Sequence, residues 1–242
     1  MPSSSHSGAS ASACRSRAIS SASRARPSIP SIAPSLRAKS SIADTWRPLP
    51  RSTVSAAPAT LEQGATAITE FGVMTVPGLL QTREYATAVL ASGETGGITA
   101  REVQRRVEQR LRRQAALHRD HDAVRVTAIL DESVLRRQVG GPDVLRAQLG
   151  HLSEISTLPN VSIRVLPYTT VVPIALSGPF IQMQFGLPGD DGLVYVEDRL
   201  GGRVIDDPDS IDEYTLVTSA LLDESLSAAD SRTMIDQSGD HL

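Results

Sequence analysis

The stretch VRVTAILDESVLRRQVGGPDVLRAQLGHLSEISTLPNVSIRVL, residues 124–166, decides the fold. It begins and ends with short segments, 124–130 and 161–166, whose alternating or continuous apolar residues are typical of strands. Between them, Asp131 caps a short helical turn, and Pro142 opens a longer helix at a first helical position. This strand–helix–helix–strand order permits a crossover pairing of the two strands, which is right-handed if they are parallel.

Downstream, the pattern predicts a hairpin and two helices. The segments FIQMQF (180–185) and LVYVE (193–197) alternate cleanly and are joined by PGDDG, and a short strand is expected at 203–205. Asp207 begins one helix and Ser227 caps the last one. The predicted fold class is α+β, with a mixed or antiparallel sheet of about four or five strands packed with helices.

Upstream, the spacing predicts three helices. The first has Thr60 as its N-cap and an apolar face made of Leu61, Ala65, Ile68 and Thr69. The second begins after Thr82 and ends near Ser92-Gly93. The third opens with a capping box made by Thr99 and Glu102, and its apolar stripe consists of Val103, Val107, Leu111, Ala115 and Leu117.

The third helix and its continuation carry seven arginines: Arg101, Arg105, Arg106, Arg110, Arg112, Arg113 and Arg119. Acidic residues (Glu102, Glu108 and Asp120) lie among them, and aromatic residues are absent. A solvated, salt-bridged helix face is therefore favoured over a nucleic-acid surface.

Residues 1–60 form a low-complexity segment rich in Ser, Ala, Pro and Arg, with a net charge of +7, so that the rest of the chain carries −10. The segment lacks apolar periodicity and is predicted to be disordered. Three interpretations remain: a basic arm for nucleic acid, an organelle transit peptide, or a linker of little function that includes sequence translated in a shifted frame. Residues 61–238 form the predicted globular domain.

Cys14 is the only cysteine, so neither an intrachain disulfide nor a cysteine-based zinc site can form. No stretch approaches the roughly 20 apolar residues of a membrane helix. We expect a soluble, cytoplasmic protein. His118, His121 and His151 lie on predicted helix surfaces without a third ligand in reach, and no motif for a phosphate, nucleotide or nucleophile is present. We predict no metal and no cofactor.

The stretch EFGVMTVPGLLQTREYA, residues 70–86, is an irregular apolar loop that leads into a helix. Leu79 and Leu80 are adjacent, and we expect that they do not both point into one core. The loop is interpreted either as structural or as an edge that faces a partner or ligand. The candidate binding residues in it are Pro77, Gly78, Leu79, Leu80, Gln81, Thr82 and Tyr85.

Glu132, Arg136 and Arg137 follow a strand end, where ligands gather in crossover α/β arrangements. They are further candidate binding residues, and in a hydrolase-like alternative Glu132 acts with Arg136 or Arg137. The arginines would keep a carboxylate's pKa low and make it a poor acid, so helix capping and surface ion pairs are the competing interpretation. The connection TTVVPIALSGPF, residues 169–180, is too apolar for an ordinary solvated loop.

Several motifs, taken in order, carry a family resemblance: VPGLLQT with Tyr85-Ala86, Arg110 with Arg113-Gln114, LDESVLRRQVG, QLGHLSEIS, PNVSIRVLP, GPF, LVYVE and ALLDESLSAADS. The set resembles a domain of unknown function of high-GC Gram-positive bacteria, which usually follows an XRE-type helix-turn-helix in transcriptional regulators. Some such regulators are antitoxin-like partners of a small protein encoded nearby. The resemblance covers residues 61–238.

Two departures from the family pattern matter. The basic segment 1–60 stands where the helix-turn-helix is expected, which favours a frame-shifted or wrongly started upstream region and puts DNA binding in doubt. The histidine common before Gly-Pro-Phe is replaced by Val171, Val172 and Pro173. The resemblance implies a non-catalytic regulatory domain that engages a small partner protein or an effector metabolite. A homodimer is a further expectation. The loop VPGLLQT and the connection TTVVPIAL are the expected contact surface.

Overall fold

The computed structural model describes residues 61–92, 98–186, 188–198 and 201–242. Residues 1–60, for which disorder is predicted, lie outside these ranges. The predicted N-cap Thr60 is one of them. The segment 93–97, where the second predicted helix was expected to end, also lies outside the described ranges.

Six strands and six helices make up the described part of the chain. The strands are β1 (Ala67–Gly72), β2 (Arg125–Asp131), β3 (Val161–Leu166), β4 (Phe180–Gln184), β5 (Leu193–Glu197) and β6 (Gly202–Ile205). The helices are α1 (Arg83–Ser92), α2 (Ala100–Gln114), the short α3 (Ser133–Arg136), α4 (Pro142–Ile155), α5 (Pro208–Glu224) and α6 (Ala228–Asp240). Single 3-10 turns form at Gly78–Leu80, Ala115–His118 and Pro173–Ala175.

All six strands join one mixed sheet in the order β3-β2-β1-β4-β5-β6. Strand β2 pairs in parallel with both β1 and β3, while β4 pairs antiparallel with β1 and β5, and β6 antiparallel with β5. The α+β class, the crossover pair β2–β3 and the β4–β5 hairpin are confirmed. The sheet has one strand more than the upper expected number.

The extra strand is β1. The prediction of a helix that begins at Thr60 and includes Ile68 and Thr69 is wrong, because these two residues lie in this strand. Residues 67–72 are extended and lie between β2 and β4, so both edges of the strand's backbone are paired. Ile68 and Phe71 are buried on opposite faces of the sheet. The helical spacing of the apolar residues here is therefore coincidental, and pairing with two neighbouring strands overrides the local pattern.

Helices cover both faces of the sheet. On one face, residues such as Val126, Ile163 and Tyr195 share a core with α1, α4 and α6. On the other, which we call the α5 face, Phe71 and Val194 pack with Ile211, Val217 and Leu221 of α5. The alternation of side chains along each strand separates the two cores.

The predicted helix starts in the rest of the chain are confirmed. The hydroxyl oxygens of Thr99 and Ser227 accept hydrogen bonds from the third backbone N–H that follows, and Asp207 does the same with its carboxylate. Pro142 stands at the start of α4. The Glu102 carboxylate accepts hydrogen bonds from Arg105 and Arg106. Across the described residues, no helix combines the length and the apolar character that crossing a bilayer requires.

Candidate functional site

The loop VPGLLQT is hydrogen-bonded to two helices, α1 and α4, and within itself. The Tyr85 hydroxyl of α1 accepts a bond from the Val76 backbone N–H at 3.3 Å, and the Gln81 side chain donates to the Val76 carbonyl at 2.6 Å. From α4, the Gln148 amide accepts from Thr82 N–H and donates to the Leu80 carbonyl, both at 2.7 Å. Thr82 also caps α1 by accepting from the Tyr85 N–H. These bonds fix the position of the loop against α1 and α4.

The expectation that Leu79 and Leu80 do not share one core is wrong. Both side chains are buried in the same cluster, together with Tyr85. The chain makes a 3-10 turn at Gly78–Leu80 between the sheet and the helices above it, so adjacent side chains contact different elements of a single core. Pro77 is buried as well, and Gly78 is partly exposed.

Two arginines of α2, Arg110 and Arg113, lie next to this loop. The Arg110 guanidinium donates to the Gln81 side-chain oxygen at 2.5 Å, and the Gln114 amide donates to the Gln81 carbonyl at 2.6 Å. A Cβ atom at Gly78 would lie 3.5 Å from Arg110 Nε and 3.6 Å from the Arg113 guanidinium. The loop motif and the arginine motif, separate in the sequence, therefore form one structural unit.

The predicted solvated face of α2 is only partly correct. Glu102 with Arg105 and Arg106, and Arg83 with Glu108, form ion pairs at the surface. Hydrogen bonds from Arg105 and Arg106 hold the pKa of Glu102 at about 2. The inward pair in the second half of the helix, Arg110 and Arg113, was not anticipated.

Arg110 and Arg113 meet three glutamates, and we call these five residues the charged cluster. Arg113 donates to the Glu62 carboxylate, and the two side chains are only 14% and 8% exposed. Burial raises the pKa of Glu70 to about 8; the Glu62 charge adds to this effect, and Arg110 and Arg113 oppose it. Burial also raises the pKa of Glu62 and of Glu197, although the Glu197 residue as a whole is exposed. The guanidinium pKa of Arg110 is lowered, chiefly by burial.

A cavity of about 560 Å³ adjoins the charged cluster at the end of α2. Glu62 and Arg113 belong to both, and Arg112 and Arg119 complete the charged part of the cavity wall. The apolar part comes from Ile68, Leu79, Ala115, Ala116 and Val124. Gln63 and Gln109 also line it, so the cavity combines a partly apolar lining with a concentration of positive charge.

The second group of candidate residues, at the end of β2, links three loops. Glu132 is buried, and its two carboxylate oxygens accept from the Arg136 guanidinium at 2.9 Å and from the Tyr168 backbone N–H at 3.0 Å. Ser133 donates to the Val73 carbonyl at 2.9 Å. The exposed Arg137 is not paired with Glu132. Glu132 thus holds together the connections that follow β2 and β3.

Replacement of Glu132 by alanine is expected to lower the free energy of unfolding by about 2 kcal/mol, because a charge-assisted hydrogen bond to the Tyr168 N–H is lost. Arg136→Ala is the matched control. It removes the exposed partner of the same ion pair, whose place water can take, and should cost about 1 kcal/mol, less than Glu132→Ala because the bond to the Tyr168 N–H stays. Urea denaturation followed by circular dichroism measures both. Equal losses would contradict the linking role of the Glu132–Tyr168 bond.

An apolar and acidic surface forms on the α5 face. The turn Pro173–Ala175 packs against α5, with Val172 and Ala175 buried there, whereas Val171 and Leu176 are 70% and 77% exposed. Leu216 of α5 is 65% exposed. The helix contains five acidic residues and no basic one: Asp209, Asp212, Glu213, Asp223 and Glu224. We call Val171, Leu176, Leu216 and these acids the α5 surface.

The three histidines do not converge on a site. His118 and His121 are exposed, and His151 is partly buried with its Nε2 atom lacking a hydrogen-bond partner. Burial lowers the pKa of His151, while Glu154 raises it and His118 lowers it further. Within the described ranges, no three His, Cys, Asp or Glu side chains are grouped to hold a metal ion.

Two features of the sequence, one of them within a motif quoted above, point to the charged cluster. Glu70 lies between apolar residues in AITEFGV, and Arg110 and Arg113 are three apart, so they project from one side of α2. A charged residue inside an apolar segment and a spaced arginine pair are together typical of a buried ion cluster. The partner assignment requires the tertiary fold.

Comparison with known proteins gives one family. The chain has no significant match among curated proteins or solved structures. A family model described as a domain of unknown function, DUF5753, matches residues 56–237, which is most of the chain and nearly all of the described part. The chain therefore belongs to the DUF5753 family.

Proposed function

We propose that this chain is a non-catalytic, cytoplasmic regulatory domain of the antitoxin-like type, which engages a small protein of basic surface through the α5 surface. Any action on DNA would run through a helix-turn-helix and not through this domain. One observation supports this proposal most directly: exposed apolar side chains lie beside a helix whose charged residues are all acidic.

The apolar part of the α5 surface supplies binding energy. Val171 and Leu176 flank a turn that is anchored by its buried neighbours Val172 and Ala175, so they are presented with little freedom to lose on binding. Burying rigid apolar side chains costs less entropy than ordering a flexible loop. Exposed apolar side chains close to polar ones are typical of protein–protein interfaces.

The charged part of the surface selects the partner. On the exposed side of α5, Asp212 and Glu213 lie one turn before Leu216, and Asp223 lies about two turns after it. A surface whose charges are all negative attracts a basic partner, speeds the encounter and disfavours acidic proteins. A small basic protein therefore matches this surface better than an acidic one.

The loop VPGLLQT supports the domain from within. Leu79, Leu80, Gln81 and Tyr85 are buried beneath the opposite face of the sheet from the connection TTVVPIAL. The two segments expected to form a joint contact surface thus lie on different faces. We assign partner contact to the connection and α5, and a structural role to the loop.

The test is calorimetric titration of the chain with the small protein encoded next to it. We expect micromolar or tighter binding that weakens as salt is raised, because the charges on this surface are exposed. The double variant V171T/L176Q should bind at least about tenfold more weakly, since two interface side chains lose their apolar burial.

The matched control is Val204→Thr, which changes an exposed apolar residue of β6 outside the α5 surface. It should bind as the unmodified chain does. An absence of binding at micromolar concentration, or equal weakening by V204T and V171T/L176Q, would overturn the proposal.

A further inference from the structure

We propose that the cavity at the end of α2 is a binding site for a small amphipathic anion, a ligand with one carboxylate, phosphate or sulfonate group on an apolar body. The site lies on the other side of the sheet from the α5 surface. Ligand binding at this site can therefore be tested separately from partner-protein binding.

The charge balance of the cavity wall favours an anion. Within the ranges that the structure describes, the wall contains three arginines, Arg112, Arg113 and Arg119, and one carboxylate, that of Glu62, which is already paired with Arg113. Among the described residues, neither Arg112 nor Arg119 has a carboxylate within salt-bridge distance. The Nε atom of Arg113 is buried and donates to no described acceptor. Three guanidinium groups thus retain unused hydrogen-bond donors around one cavity.

The end of α2 opposes an anion, but weakly. A helix carboxyl terminus presents the equivalent of roughly half a negative charge, and its effect fades within the last turn. Here the chain continues from Gln114 into the 3-10 turn Ala115–His118, and the Ala115 N–H already bonds to α2 carbonyls. The net charge of the wall, three guanidinium groups against one carboxylate, outweighs this dipole.

Apart from the side-chain amides of Gln63 and Gln109, the uncharged part of the lining fits an apolar body. Leu79 and Ile68 are buried side chains of the core, and Ala115 and Ala116 leave room because their side chains are short. The volume of about 560 Å³ lies within the ordinary range of small-molecule sites, roughly 300–1,000 Å³. In the described part of the chain, no aromatic residue on which a base could stack lines the wall, which disfavours single-stranded nucleic acid.

The test uses 8-anilinonaphthalene-1-sulfonate as the probe and N-phenyl-1-naphthylamine, which has the same aromatic body without the sulfonate, as the neutral comparison. Fluorescence titrations of the full chain should give saturable binding of the sulfonate, at least about tenfold tighter than that of the neutral probe, because charge-assisted hydrogen bonds to guanidinium groups are strong. Equal affinity for the two probes would overturn the proposal.

The double variant R112Q/R119Q should weaken binding of the sulfonate by at least about tenfold and change that of the neutral probe by less than about twofold. The matched control R101Q/R203Q removes two exposed arginines outside the cavity wall and should leave both affinities unchanged. Ala115→Leu narrows the cavity without removing charge and should weaken both probes. Equal losses in the two arginine pairs would show surface attraction only and overturn the site.

The probe also binds partly unfolded proteins, so each variant is first compared with the unmodified chain by its urea midpoint. Since Arg112 and Arg119 are exposed, their replacement should move that midpoint little. A variant whose midpoint has fallen is replaced by its lysine counterpart, R112K/R119K, which keeps the charge and should restore sulfonate binding at least in part. A failure of the lysine pair to bind better than the glutamine pair would count against a charge-based site.

Discussion

Replacing Glu70 by glutamine is expected to stabilise the domain above pH 8 and to leave its stability nearly unchanged at pH 5. Burial raises the pKa of Glu70 to about 8, so the folded domain keeps this side chain protonated at neutral pH. Glutamine has nearly the shape of the protonated acid and never ionises. The variant should therefore remove one source of pH dependence without disturbing the packing.

The direction follows from proton linkage. Between the ordinary value of 4.5 and about 8, the folded chain holds a proton on Glu70 that the unfolded chain has released. The folded state then binds more protons, so the contribution of Glu70 to stability falls as pH rises through this window. This difference in pKa corresponds to a change of at most about 5 kcal/mol in the free energy of unfolding. The effect of Glu70 is smaller than that because solvent reaches part of the residue.

The measurement is the free energy of unfolding of both proteins at half-unit steps from pH 4.5 to 9. Glu62 and Glu197 also have raised pKa values, and Arg110 and Arg113 face the same cluster, so the E70Q profile keeps a slope of its own. The difference between the two profiles reports Glu70. It should grow with pH and level off above 8.

Glu213→Gln on the exposed side of α5 is the control for removing a carboxylate, and it should shift stability by less than about 0.5 kcal/mol. A difference between E70Q and the unmodified chain that stays constant with pH would mean that Glu70 is ionised in the folded domain.

The elements that follow local rules were predictable from the sequence. The helix starts at Thr99, Pro142 and Asp207 and the hairpin 180–197 depend on caps, prolines and strict alternation, and each forms as expected. Strand β1 was not predictable by the same means. Thr69 and Glu70 interrupt its apolar pattern, and its extended shape depends on neighbours far away in the chain.

The candidate site shows the same division. The loop VPGLLQT, its role in capping α1 and the Arg110–Arg113 motif were identified separately, but their contact spans about thirty residues of sequence. Spacing rules act over one or two helical turns and contain no information on such a pairing. The fold also differs from the expectation for one side of α2. Arg110 and Arg113, which were predicted to be solvated, lie in a cluster with three glutamates.

The Glu62–Arg113 ion pair should respond strongly to the loss of either partner. We expect Arg113→Met to lower the free energy of unfolding by about 3 kcal/mol at pH 7, since it removes the hydrogen-bonded partner of the enclosed Glu62 carboxylate and leaves only the charge of Arg110 to offset it. Glu62→Met should cost a similar amount because it leaves the Arg113 guanidinium buried. These are the two single variants of a double-mutant cycle.

The double variant E62M/R113M should be far more stable than the sum of the single losses predicts, because two apolar side chains of similar size can replace a buried ion pair with little loss. Arg112→Met, one residue away but exposed, should cost less than about 0.5 kcal/mol. Urea denaturation at pH 7 measures all four variants. Additive single losses, or an R113M loss below about 1 kcal/mol, would show that solvent screens the pair. A large coupling would instead establish that the charged cluster holds the first residues of the described domain to α2, beside the cavity that this pair helps to form.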